Sequence, residues 1–146
     1  MIATLKTLFT RDLNRVIKEI EAYKDEASIW KIDGLINNSA GNLCLHLIGN
    51  LKTYIGKELG KTDYIRNRPL EFSLKNVSRK ELIKEINNTI EIINTTFENL
   101  DPTVLETEYP ILVFEQKKST EYFLVHLTTH LAYHLGQINY HRRLIE

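Results

Sequence analysis

Apolar positions in this chain recur mostly with the period of an α-helix. From Ile2 to about Tyr23, residues Leu5, Leu8, Phe9, Leu13, Val16, Ile17 and Ile20 keep the i, i+3, i+4 rhythm that lays one stripe along a helix. A longer connection, DEASIWKIDGLINNSAG, contains Trp30, which reads as a plug over one end of a bundle. Asn38 or Ser39 then caps a second helix, roughly Ala40 to Leu59, and Gly60 stands where helices commonly stop. The segment KTDYIRNRPLEFSLKNV reads as a polar loop, with Pro69 barring a continuous helix. Ser78 and Glu81 have the spacing of a capping box and open a third long helix. Leu82, Ile86, Ile90, Ile93 and Phe97 form its apolar face, and Asp101-Pro102 ends it. Residues 103–118 are β-branched and partly alternating, which predicts a short hairpin around Tyr109-Pro110. Ser119 or Thr120 caps a last helix running to about Leu144. Four amphipathic helices in one small domain, 1–146, pack most simply as an all-α four-helix bundle.

Composition narrows the class of partner. The 146 residues carry 19 basic and 19 acidic side chains, so the formal net charge is zero. A nucleic-acid or anionic-membrane partner calls for a basic patch, which this balance does not supply. No apolar run approaches the roughly 20 residues of a membrane span. The amino-terminal segment has helical apolar spacing and early charges instead of the continuous apolar core of a targeting peptide, which points to a cytoplasmic protein. The single cysteine, Cys44, leaves no internal disulfide.

The chemistry concentrates in FLVHLTTHLAYHLGQINYHRR, residues 123–143, which holds His126, His130, His134 and His141, four of five histidines. At ~100° per residue these four and Gln137 share one stripe about 80° wide. Leu124, Leu127, Leu131, Leu135 and Ile138 flank it on one side, and Tyr122, Tyr133, Tyr140 and Leu144 on the other, so the stripe is expected inside a broad apolar face. Imidazoles placed there need partners, because an unpaired buried polar group costs roughly 1–3 kcal/mol. His130 and His134 are neighbours at i and i+4 and are able to share one metal ion. A divalent site needs a third ligand, and His46 is the only other histidine. It sits in NLCLHLIGN, apolar nearly all round, which predicts deep burial. Cys44, two residues away, points elsewhere and reads as a small core residue. The competing reading of each histidine is a core or boundary residue held by an ordinary hydrogen bond. For His126 and His141 a substrate contact, an alternative ligand and a boundary role all stay open, with the boundary role favoured for His141. Gln137 and Asn50 are candidates for orienting the imidazoles from behind or for plain helix-surface amides. Tyr54 and Tyr133 read as packing residues.

NNSAGNLCLHLIGNLKTYI at 37–55 and HLAYHLGQINYHRRL at 130–144 resemble the two signature segments of the DinB-like superfamily, nearest to a branch of small uncharacterised bacterial proteins. The resemblance covers nearly the whole chain. It implies a four-helix bundle of up-down-down-up topology and a metal bound by His46, His130 and His134. Many relatives have HRGQ where this chain has His134-Leu135-Gly136-Gln137, so any anionic contact of that arginine is lost. Some members are thiol-dependent transferases or isomerases using bacillithiol, mycothiol or glutathione.

Three neutral imidazoles suit zinc, nickel or ferrous iron and leave a position open, the arrangement of a catalytic site. The expected function is therefore a metal-dependent thiol transferase or detoxification enzyme, in which a low-molecular-weight thiol attacks a small-molecule electrophile. A metal-dependent hydrolase is the first alternative, weakened because no carboxylate lies on the histidine stripe. The other is a non-catalytic metal-binding, stress-associated homodimer, for which Thr129, Ala132 and Gly136 offer a surface of close approach.

Overall fold

A computed structural model describes all residues, 1–146. The first helix, α1, spans Ile2–Glu21 and buries Leu5, Phe9, Leu13, Val16, Ile17 and Ile20, the predicted stripe less Leu8. Fully burying each such side chain is worth roughly 1.5–3 kcal/mol, so packing and not intrinsic propensity holds the helix. A 3₁₀ turn at Glu26–Trp30 follows, and α2 spans Ala40–Leu51. Ser39 is the cap that forms: its hydroxyl accepts from the Asn42 amide at 3.1 Å. Trp30 closes this end, its ring laid over Gly41, where a Cβ would come within 2.6 Å of it.

The second helix does not run on as a regular α-helix to Leu59. After Leu51 it widens into a π-helical turn, Lys52–Lys57. Such a turn shifts the backbone pairing, and the Tyr54 carbonyl accepts from the Tyr109 hydroxyl at 2.6 Å. The polar segment beyond it is not all loop. A six-residue helix, α3, spans Arg68–Ser73 with Pro69 in its first turn, where a missing N–H costs nothing. Asn67 caps it, accepting from the Leu70 amide.

Helix α4 spans Arg79–Asn99, and the Ser78 hydroxyl accepts from the Glu81 amide at 3.2 Å, one half of the expected capping box. Between α4 and α5 the predicted hairpin is absent. Pro102–Glu106 is a 3₁₀ turn, and a single bridge pairs Glu108 with Ser119. The apolar residues there are recruited one by one: Leu105 and Tyr109 enter the core, while Leu112 stays exposed. Helix α5 spans Thr120–Ile145, capped by Ser119, whose hydroxyl accepts from the Tyr122 amide.

The chain is thus all-helical, and the four long helices enclose one core. Lys6 of α1 meets Glu98 near the end of α4, and Arg79 at the start of α4 reaches the Glu21 and Tyr23 carbonyls, so these two helices run antiparallel. Glu19 of α1 accepts from Asn139 and Arg142 of α5, two helices running the same way. Tyr54, just past α2, packs on Phe123 at the start of α5, and His46 meets His130 and His134, so α2 and α5 are antiparallel. No helix is long and apolar enough to cross a membrane.

Candidate metal centre

Helix α2 presents His46 to the inner face of α5, where His130 and His134 stand one turn apart. The Nε2 atoms converge: His130 Nε2 lies 3.3 Å from that of His46 and 3.1 Å from that of His134. One ligand atom from each residue lies within 4.8 Å of the other two. The outer nitrogens explain the orientation. Glu71 Oε2 accepts from His46 Nδ1–H at 2.9 Å, and a carboxylate only accepts, which fixes the proton on that side. Gln137 Oε1 accepts from His134 Nδ1–H at 2.6 Å, while its amide nitrogen donates to the Tyr133 hydroxyl at 3.2 Å. In their neutral forms both rings therefore turn Nε2 lone pairs inward. A single proton on His130 Nε2 could satisfy one of the two short contacts, whereas a cation satisfies three lone pairs together. The spacing fits: with bonds of about 2.0–2.1 Å, tetrahedral nitrogens stand about 3.3 Å apart. His46, His130 and His134 are thus able to hold a metal ion, with Glu71 and Gln137 bracing two of them from behind.

Electrostatics favour the neutral imidazoles that a metal requires. Burial, reinforced by His134, His46, His126 and Arg66, pushes the His130 pKa down to about 4. Burial likewise lowers that of His134, against the hydrogen bond to Gln137. His130 Nδ1 is buried with no protein partner.

Glu71 is the residue the sequence did not reveal. It lies on α3, 6% exposed, and both its oxygens are engaged. Arg66 donates to Oε1 from Nε at 2.6 Å and to Oε2 from Nη2 at 3.0 Å. Burial works to raise its pKa, but the hydrogen bonds from His46 and Arg66 prevail and hold it below the ordinary carboxylate value. Two features of α2 seat it. Gly49 leaves room, since a Cβ there would stand 2.1 Å from Glu71 Oε1. Asn42 Nδ2 donates to the carbonyls of Glu71 and Leu74 at 2.9 and 2.8 Å, tying α3 to α2. Asn67 followed closely by Pro69 was the available signal of a helix start. Six residues are too few for a periodic stripe, and nothing local names His46 as their target.

The remaining candidates separate. His141 is 3% exposed and remote from the cluster. Its Nε2–H donates to the Lys31 carbonyl at 2.9 Å, and its Nδ1 accepts from the Tyr23 hydroxyl at 2.6 Å, ordinary hydrogen bonds that tie α5 to the segment following α1. His126 lies a turn before His130, its ring stacked with that of Phe123 and edge-on to Phe114, and it lines the cleft outside the cluster. Asn50 is buried and also lines that cleft, but its Oδ1 touches no imidazole and has no partner. Cys44 is fully buried, its thiol pushed up to about 12 by burial alone, which suits a core residue. The expectation that the stripe sits inside a broad apolar face needs correcting on one side. Tyr122, Tyr133, Tyr140 and Leu144 are more than half exposed, so the stripe lies at the boundary of the core. Only one side of α5 is covered by other helices, and tyrosine tolerates the wet side.

A family model described as "Protein of unknown function (DUF1572)" matches residues 2–146. No curated protein matches the chain significantly.

Proposed function

Since the chain belongs to that family of unknown function, the site must speak for the activity, and we propose a metal-dependent enzyme of DinB-like type, a thiol S-transferase or detoxification protein. The observation that carries this reading is the convergence of three Nε2 atoms, two of them braced from behind, beside a cleft between α2 and α5. The helix directions support a DinB-like bundle as well. The contacts of α1 with α4 and α5, and of α2 with α5, support reading the bundle as up-down-down-up. Zinc, nickel and ferrous iron all suit three imidazoles. When bound, such an ion supplies a Lewis acid that lowers the pKa of a thiol or water.

The protein's own groups favour a thiol over water as nucleophile. Activating water calls for a free general base nearby, and the one carboxylate at the site, Glu71, is consumed by Arg66 and His46. A low-molecular-weight thiol is far more acidic than water to begin with, so with an ion bound it would release its proton to bulk solvent near neutral pH without a dedicated base. Phe123, Leu127 and Val113 line the cleft and favour an apolar electrophile. A second reading, a non-catalytic metal-binding homodimer, draws on the exposed side of α5, where Gly136 has open space beside it and Tyr133 and Tyr140 flank it.

Elemental analysis of protein purified without a histidine tag tests the site. About one divalent ion per chain is expected in the native protein and none in His46→Ala. Consumption of bacillithiol or glutathione is then assayed with zinc or nickel against epoxides and haloarenes. Metal without turnover would favour the dimer reading, and absence of metal would overturn both.

A further inference from the structure

The cleft beside the three imidazoles has a wall that is not helical. Val113, from the connection between α4 and α5, lines it together with Phe123, His126, Leu127 and His130 of α5. Two anchors hold the stretch that carries Val113. At one end Tyr109 is buried; its amide donates to the Lys118 carbonyl at 2.9 Å and its hydroxyl to the Tyr54 carbonyl at 2.6 Å. At the other end the Phe114 ring stands edge-on to those of His126 and Phe123, with centroids 4.8 and 5.6 Å away. Between the anchors, Pro110, Ile111, Leu112 and Val113 form no helix or strand, and their backbone groups make no hydrogen bond within the protein. Few native bonds therefore resist a change in their path. Their side chains are unusual for an open loop, where turn-forming polar residues prevail. Ile111 is 38%, Leu112 62% and Val113 38% exposed. An apolar run at the rim of a cleft gains burial by folding over an apolar group inside it.

We infer that Pro110–Val113 is a strap that closes over the cleft when an apolar group enters it, with Leu112 and Val113 selecting that group. This rests on the proposed function and deepens it. The apolar electrophile is held between the strap and the side chains of Phe123 and Leu127, with its polar end toward the imidazoles. The cleft encloses about 220 Å³, and an apolar cavity of about 150 Å³ is enough to hold benzene, so one aromatic ring with a small head fits. Closure also excludes water from the reacting groups. The travel is short, because Tyr109 and Phe114 stay in place.

Leu112→Cys, at an exposed position, supplies a reporter thiol, since the native Cys44 is buried. Its alkylation by iodoacetamide is timed in zinc-loaded protein with benzohydroxamate and with acetohydroxamate, which has the same metal-binding head and no ring. Benzohydroxamate is expected to slow alkylation about fivefold, in proportion to the closed fraction, and acetohydroxamate to leave it unchanged. Gln116→Cys, beyond the Phe114 anchor, should keep its rate with both. Val113→Ser is expected to weaken benzohydroxamate about fivefold through lost apolar burial, with acetohydroxamate affinity and zinc content unchanged. Benzyl alcohol, added to chelator-treated protein, is the metal-free probe and should slow Leu112→Cys as well. Zinc retained but no slowing with any ring-bearing probe would overturn the strap and leave the metal centre standing. Equal slowing in Gln116→Cys would overturn it too, as a general tightening of the chain. Slowing by benzyl alcohol in a protein that never retains zinc would uphold the strap and sink the metal reading, and neither zinc nor slowing would sink both.

Discussion

At the scale of single residues, the site depends on protons being held on the outer nitrogens. Glu71 acts on His46 through charge as well as geometry, because the carboxylate stabilises the Nδ1–H and raises the basicity of Nε2. Glu71→Gln keeps an acceptor of similar size and removes the charge. Its zinc affinity, measured by competition with a chromophoric chelator, is expected to fall about 10- to 100-fold. An unchanged affinity would show that Glu71 merely packs against the ring.

At the scale of elements, two departures from regular helix build the site. One is the π turn at Lys52–Lys57, which ends α2 below His46 and Asn50; the other is α3, a helix too short to be stable alone. Tertiary bonds hold α3, chiefly those from Asn42 and His46, and the neighbouring Arg66 adds a local ion pair. Gly49 is the point of contact between the two elements. Glycine to alanine inside a helix ordinarily stabilises by roughly 0.5–1 kcal/mol. Here the added Cβ would meet Glu71 Oε1 at 2.1 Å, so the sign should reverse. Overpacking of this kind costs typically about 1–3 kcal/mol. Gly49→Ala should therefore lower the urea midpoint and weaken zinc binding together. A gain in stability would mean that Glu71 moves aside freely.

Across the whole molecule, burial sets a direction for pH. It is the leading cause that lowers the pKa of His130, His134 and His141. The unfolded chain has histidines near about 6.5 and so takes up protons first as the pH falls. The stabilising contribution is complete above that value and is lost as the pH falls toward the folded-state values, about 4 for His130. Metal-free protein should thus show a lower urea midpoint at pH 5.5 than at pH 7.5, and His130→Leu should shrink the difference. Equal midpoints at the two pH values would mean that these rings are solvated in the folded chain.

Much of this was legible in the chain itself. Helical periodicity located four long helices because each buries a stripe long enough to repeat, and Ser39, Ser78 and Ser119 marked their starts through bonds made within four residues. The i, i+4 spacing of His130 and His134 put two imidazoles on one turn, and the apolar setting of His46 predicted its burial. Those are local properties, fixed by backbone geometry over a few residues. The π turn, the single bridge in place of a hairpin and the bracing of His46 by Glu71 are not local. Glu71 is 25 residues from His46 and lies on a helix that exists only because α2 holds it, so no pattern in its own neighbourhood could announce it. The separation of His141 from the other three has the same origin. The stripe on α5 is continuous, but its end faces Tyr23 and Lys31, and which helix covers which part of a stripe is decided only when the chain packs.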